Sequence, residues 1–224
     1  SHWRRPQPRF AFGKALEESG GAHAPAAMTD PSASEFEFPP FHRLPPFFTL
    51  QPHEGVRAKQ LAMWRQLILD FCSSTRTFVI DISEGGAATG VAGKLFRNTD
   101  IQRQLTAEGR RAIAEHLVKE GAAAWGDAAG DGKNDADRHR LLVFWRSPRE
   151  WADIVLRWVE ETGRLGSVET VLSLVDGDIS EGEAFHGVPR ELMLHALQEL
   201  ERRGRAKIFR GSGTHAEGVK FLQA

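Results

Sequence analysis

Much of the chemistry open to this chain is narrowed by what its sequence lacks. It carries one cysteine, Cys72, which excludes an intrachain disulfide and fits a reducing compartment, so a cytosolic location is expected. Its 29 basic and 30 acidic side chains leave a formal charge of −1, offering no global positive excess to a polyphosphate backbone. No run approaches the roughly 20 apolar residues needed to span a bilayer. The N-terminal SHWRRPQPRFAFGKALEESGG also lacks the apolar block of a secretory signal. Membrane contact is therefore expected to be indirect, through a partner, or peripheral.

Motifs for catalysis and metal binding are absent or broken. GGAATGVAGKLF has the outline of a phosphate loop, but Ala88 stands where the first glycine is required, and Leu95 follows Lys94 where Ser or Thr would reach a metal. DAAGDGKNDAD resembles a calcium loop at Asp127, Asp131, Gly132 and Asp135, yet Ala129 and Arg138 occupy places that should supply oxygen ligands. The nine histidines show no paired ligand spacing; His116 and His195 lie on long helices, where packing accounts for them. No nucleophile, base and orienting residue can be assembled. No enzyme activity, cofactor or metal is expected.

What is present points to small helical domains. With 224 residues, 41% of them hydrophobic, the chain can form one large or two small domains. Residues 1–35, rich in Gly, Ala, Pro and Ser, read as a disordered leader; Met28 is an alternative start, and Glu17 and Glu18 weigh against a transit peptide. In KQLAMWRQLILDF, residues Leu61, Trp64, Leu67, Ile68 and Phe71 recur at three- and four-residue spacings, predicting a helix with one buried face. TFVIDI reads as a strand, EGGAATGVAGK as a loop, and 98–105 as a short helix. Thr106 then caps a helix reaching Glu120, stopped by Gly121, and AAAW and RLLVFW form a hairpin around a long polar tip in which Trp125 and Trp145 face each other.

The order then repeats. SPRE, from Ser147, is a capping box with proline at the first helical position; its helix carries Trp151, Ile154, Val155, Trp158 and Val159 on one side and stops at Gly163. SVETVLSLV is a short helix or strand, DGDISEGE a loop, and Pro189 opens the helix RELMLHALQELERRG. AKIF and GVKFLQ make a second hairpin. Leu117-x3-Gly121-x-Ala123 matches Leu200-x3-Gly204-x-Ala206, in each case a leucine one turn before a glycine that reverses the chain. The fold class is α+β, mainly helical: two tandem winged-helix domains, 53–146 and 147–224, preceded by an extended Pro/Phe-rich segment, 36–52.

Winged helices commonly read DNA with the helix before the hairpin. Here Arg110, Arg111 and Lys119 are balanced by Glu108, Glu115 and Glu120, and Arg190, Arg202 and Arg203 by Glu191, Glu199 and Glu201. A groove-reading helix shows a one-sided basic excess. Nucleic acid is therefore not the expected partner, and a winged-helix transcription regulator is the alternative reading.

The proline segment FEFPPFHRLPPFFTLQP (36–52) carries five phenylalanines on a backbone that proline keeps out of helix and sheet interiors. An extended polyproline conformation is expected, with many carbonyls lacking a regular partner. Burying each ring contributes on the order of 2 kcal/mol, so a groove that receives them holds the segment firmly. Physics leaves open whether that groove belongs to this chain or to a partner. An SH3 or WW module is a further option, but those ligands space their prolines as PxxP, whereas this segment pairs them before aromatics.

This segment, followed by KQLAMWRQLILDF, LFRNTDIQRQL, LLVFWRSPREWADIVLRWV and EAFHGVPRELMLHALQELERRGRAKIF in the same order, resembles the vacuolar protein sorting subunit 25 family of the ESCRT-II complex. LPPFFTLQP, WRSPREW and the FHG turn are the most specific pieces. The resemblance implies two tandem winged-helix domains, no catalysis, and a non-catalytic adaptor of the cytoplasm recruited to endosomal membrane. Its docking residues for the two other ESCRT-II subunits would be Pro45, Pro46, Phe47 and Phe48, with Phe36, Phe38, Pro39, Pro40 and Phe41 as an additional contact. An ESCRT-III subunit would bind within 147–224, linking ESCRT-II to ESCRT-III as ubiquitinated cargo is sorted into multivesicular bodies. The leader, the glycine-rich 85–93 and the acidic 127–137 depart from the family pattern.

Overall fold

The computed structural model describes residues 36–126, 138–211 and 217–223. The expected leader, the calcium-loop-like tip and the tip of the second hairpin lie outside the described residues.

Helix α1 (Glu54–Ser74) is longer than its apolar spacing alone marks, and it buries Gln60, Trp64, Leu67, Ile68, Phe71 and Cys72 along one stripe. Strand β1 (Val79–Asp81) follows. The glycine-rich stretch is not a loop. It forms two short helices, α2 (Glu84–Ala88) and α3 (Gly90–Phe96), that bury Ala87, Ala92, Leu95 and Phe96. Packing overrides the poor helix propensity of glycine here. One of the glycines serves close approach: a Cβ on Gly86 would fall 2.3 Å from Asp81 Cγ.

The stretch expected as a short helix is instead a small hairpin of β2 (Arg97–Asn98) and β3 (Arg103–Gln104). Asn98 Oδ1 accepts from the Asp100 amide at 3.0 Å, the side-chain-to-backbone competition that disfavours helix, and Gln102 turns the chain at φ 51°. Helix α4 (Ala107–Lys119) is capped by Thr106, whose hydroxyl accepts from Gly109 N at 3.1 Å. Strands β4 (Ala123–Trp125) and β5 (Arg140–Val143) complete an antiparallel sheet in the order β1-β5-β4.

The second half opens at the Ser147–Glu150 capping box with α5 (Pro148–Glu161). SVETVLSLV is both strand and helix, as β6 (Val168–Thr170) and α6 (Val171–Asp176); a 3-10 turn over Asp178–Ser180 interrupts the acidic loop. Helix α7 (Arg190–Arg202) leads to β7 (Ala206–Arg210) and β8 (Glu217–Phe221) in a sheet ordered β6-β8-β7. Both sheets thus place the last strand between the other two. The paired leucine-glycine motifs end α4 and α7 alike: Ala122 N donates to Leu117 O and Arg205 N to Leu200 O, each at 2.9 Å, around Gly121 and Gly204 at φ 67° and 72°.

Two cores result, and they share a wall. Leu141 and Val143 face the first core, whereas Leu142 between them faces the second; Ile80 and Ile82 are likewise opposed by Val79. Trp145 does not cross the hairpin to Trp125, which is registered with Leu141. Its ring centroid lies 5.2 Å from that of Phe78 and 5.6 Å from that of Trp151, and the Arg146 guanidinium sits 4.7 Å from the Trp151 centroid. Trp64, Trp151 and Trp158 are core residues, as their spacing predicts.

Candidate partner-docking segment

Residues 36–52 do not form an extended strap. They fold into two successive 3-10 turns, Pro40–Arg43 and Pro45–Phe48, because a proline φ suits a tight turn as well as polyproline. Pro39 and Leu44, each followed by proline, stay extended at ψ 154° and 117°. The turns close through His42 N to Pro39 O at 2.9 Å and Phe47 N to Leu44 O at 2.9 Å.

Three of the carbonyls expected to lack partners, those of Pro46, Phe47 and Thr49, are instead held by side chains, chiefly of α1. Gln60 Nε2 donates to Phe47 O and Thr49 O, each at 2.9 Å, with Pro46 O at 3.3 Å, and Gln60 Oε1 accepts from Gln51 N at 3.1 Å. Trp64 Nε1 donates to Phe47 O at 3.1 Å, and Gln51 Nε2 donates to Thr49 O and Pro46 O. Gln60 and Trp64 are one turn apart on the buried stripe of α1, so a glutamine on an apolar face was the available sequence signal for this clamp.

The rings divide by depth. Phe47 and Phe48 are 6% and 3% exposed, and Phe47 stacks on Trp64 with centroids 4.2 Å apart and planes within 13°. The groove that receives them therefore belongs to this chain. Phe36, Phe38 and Phe41 are half-buried against the same core, while Pro40, Pro45 and Pro46 are exposed, with Leu44 beside them at 56%.

His42 fixes the segment from beneath. It is buried, its ring stacks on Phe38 at 4.3 Å, and Nε2 donates to Leu95 O at 3.1 Å. Asn98 Nδ2 donates to His42 O at 2.9 Å and faces Nδ1 at 3.3 Å. These partners suit the neutral ring with its proton on Nε2. Burial lowers the His42 pKa below its usual value, against a smaller opposing effect of the Leu95 carbonyl.

Other sequence features are structural in this fold. Arg110 is buried, with Nε donating to Ile82 O at 2.9 Å and Nη1 to Leu105 O at 2.8 Å, so it does not present a base-reading guanidinium. Arg203 bridges Asp153 and Glu199. In the FHG turn, Phe185 is buried against Trp158, and Gly187, at φ 76°, donates to Val175 O at 2.7 Å. Ser180 lies 2.9 Å from His186 Nδ1, but it is buried and its hydroxyl donates to Gly177 O. Burial pushes the Cys72 thiol up to about 12, leaving it an inert packing group. Among the described residues no cluster of three His, Cys, Asp or Glu is placed to hold a metal, and no helix is long and apolar enough to cross a membrane.

Comparison with known proteins fits this architecture. The family described as ESCRT-II complex subunit matches residues 36–189. Vacuolar protein sorting-associated protein 25 of Arabidopsis thaliana is 36% identical over 84% of this chain and 97% of its own length; the Homo sapiens protein of the same name is 36% identical over 85% and 99%. A crystal structure of subunit VPS25 of ESCRT-II superposes with a TM-score of 0.70 at 27% identity, covering 82% of this chain and 98% of the other. A chain of the endosomal complex ESCRT-II (VPS22/VPS25/VPS36) gives 0.69 at the same identity and the same coverage. A fold of two like-ordered sheets, a folded Pro-Pro-Phe segment and similarity over more than four fifths of the chain lead to one assignment: this chain belongs to the vacuolar protein sorting-associated protein 25 family of ESCRT-II complex subunits.

Proposed function

We propose that this protein is a non-catalytic adaptor subunit of ESCRT-II that docks the two other subunits of that complex through residues 36–52. The observation that carries the proposal is the exposed Pro45–Pro46 pair, standing on a turn whose Pro46, Phe47 and Thr49 carbonyls are all held from within. Little conformational entropy remains for a partner to remove on contact, which favours binding. In this reading Pro40, Leu44, Pro45 and Pro46 touch the partner. Phe47 and Phe48 shape the surface from inside, and Phe36, Phe38, Pro39 and Phe41 extend it.

The two halves are two winged-helix domains. The second recruits an ESCRT-III subunit, and the exposed Val168, Leu172 and Phe209 mark where 147–224 has apolar surface to give. Two copies in one complex raise the effective concentration of that ESCRT-III subunit at the endosome, where ubiquitinated cargo enters multivesicular bodies. The protein works from the cytoplasm and meets the membrane through its partners.

The test is affinity capture from the native cell, comparing wild type with Pro45→Ala/Pro46→Ala. Phe47 and Phe48 are left intact because truncating a buried phenylalanine costs about 3–5 kcal/mol and confounds folding with binding. Wild type is expected to bring down the other ESCRT-II subunits and the folded variant to lose them. Equal recovery of both, or capture of chromatin instead, refutes the docking role.

A further inference from the structure

Beside the proline turns, a groove of about 530 Å³ runs between residues 36–41 and the outer side of α1. Its floor is apolar, formed by Phe36, Pro39, Phe41, Ala62, Met63 and Leu67, and Met63 is 37% exposed. The charged residues lining it are Glu37 and Asp70, both acidic and exposed. Gln66 Nε2 donates to Asp70 Oδ1 at 2.7 Å, which orients that carboxylate on the rim. Phe41 links the groove to the turn, its ring centroid 4.9 Å from that of Phe47.

An apolar floor with an acidic rim selects its occupant by charge. An acidic segment is repelled, and a purely apolar one draws nothing from Glu37 and Asp70, whereas aliphatic side chains followed by Lys or Arg use both parts. We infer that this groove is a second docking subsite, filled by an aliphatic-then-basic segment of the same ESCRT-II partner that seats on Pro45–Pro46. The inference rests on the docking role proposed above and adds what the partner must carry. Seating two adjacent points of one partner makes the second contact intramolecular and also fixes the partner's orientation.

The experiment uses the full chain co-purified with the two other ESCRT-II subunits as the probe. Met63→Glu places charge on the groove floor at a solvent-accessible site; Glu37→Gln/Asp70→Asn neutralises the rim with little change of shape. Met63→Glu is expected to weaken binding at least tenfold. The rim variant is expected to weaken it severalfold and flatten its salt dependence. A photo-crosslinker at position 63 is expected to capture a partner peptide containing an aliphatic residue next to Lys or Arg. Unchanged affinity in both variants while Pro45→Ala/Pro46→Ala still abolishes binding overturns the subsite and leaves the docking role standing. Crosslinks confined to this chain, or to an acidic peptide, overturn it equally. If the proline variant also binds normally, the docking role has failed and the subsite with it.

Discussion

Gln60→Glu changes one atom of the clamp under the proline turn and inverts its chemistry. The amide nitrogen that donates to Phe47 O and Thr49 O becomes a carboxylate oxygen facing them, in a side chain only 7% exposed. Two hydrogen bonds worth about 1 kcal/mol each are lost. An uncompensated buried charge adds to that, limited by the option of taking up a proton. A destabilisation of about 3 kcal/mol at pH 8 follows, a rise of roughly two orders of magnitude in opening of the segment. Gln60→Leu is the control. Phe47 O keeps Trp64 Nε1, and Thr49 O and Pro46 O keep Gln51 Nε2, so the main orphan is the Gln51 amide and the cost is about 1–2 kcal/mol.

The measurements are urea denaturation and amide exchange over residues 46–51, at pH 5 and pH 8. A carboxyl buried there has a folded pKa raised above the unfolded one, so the native state holds more protons and the deficit shrinks as pH falls. A Gln60→Glu variant as stable as wild type at pH 8, or less harmful than Gln60→Leu, refutes the clamp.

Three further outcomes are expected. His42 and His195 both have pKa values lowered by burial, so the unfolded chain binds more protons below its histidine pKa of about 6.5; their contribution to stability is present above that pH and lost as pH falls through it, and denaturation midpoints between pH 5 and 7.5 report it, with a smaller slope for His42→Gln. Leu142→Ala, in a strand of the first sheet, is expected to cost about 2–5 kcal/mol and to raise amide exchange in α5 and α7 of the other half. Gly177→Ala places a Cβ 2.5 Å from Ser173 O and is expected to cost about 1–3 kcal/mol by thermal melting, although the glycine φ of −85° suits any residue.

The parts legible in the sequence are those whose causes are local. The Ser147–Glu150 box, the Thr106 cap and the leucine-glycine stops of α4 and α7 each depend on residues within a turn or two of one another. What was not legible depends on contacts distant along the chain. The glycine-rich stretch is helical because Ala92, Leu95 and Phe96 meet the first core, and Gly86 is fixed by Asp81. The proline segment bends into turns because Gln60 and Trp64 collect its carbonyls. Within the candidate site, the composition singled out the segment but not which of its residues face outward. Alternation of exposed Pro45 and Pro46 with buried Phe47 and Phe48 follows from the 3-10 turn and the Trp64 ring beneath it.

Strand β5 has a consequence for how this protein can be cut and recombined. Because Leu141 and Val143 serve one core and Leu142 the other, neither half carries a complete boundary of its own. A fragment ending near residue 146 would expose Leu142 and Val79 to water, and a fragment beginning at Ser147 would leave an unfilled hollow where they sat. Transplanting either half into another protein would require a replacement for that wall, although the two halves repeat the same order of strands.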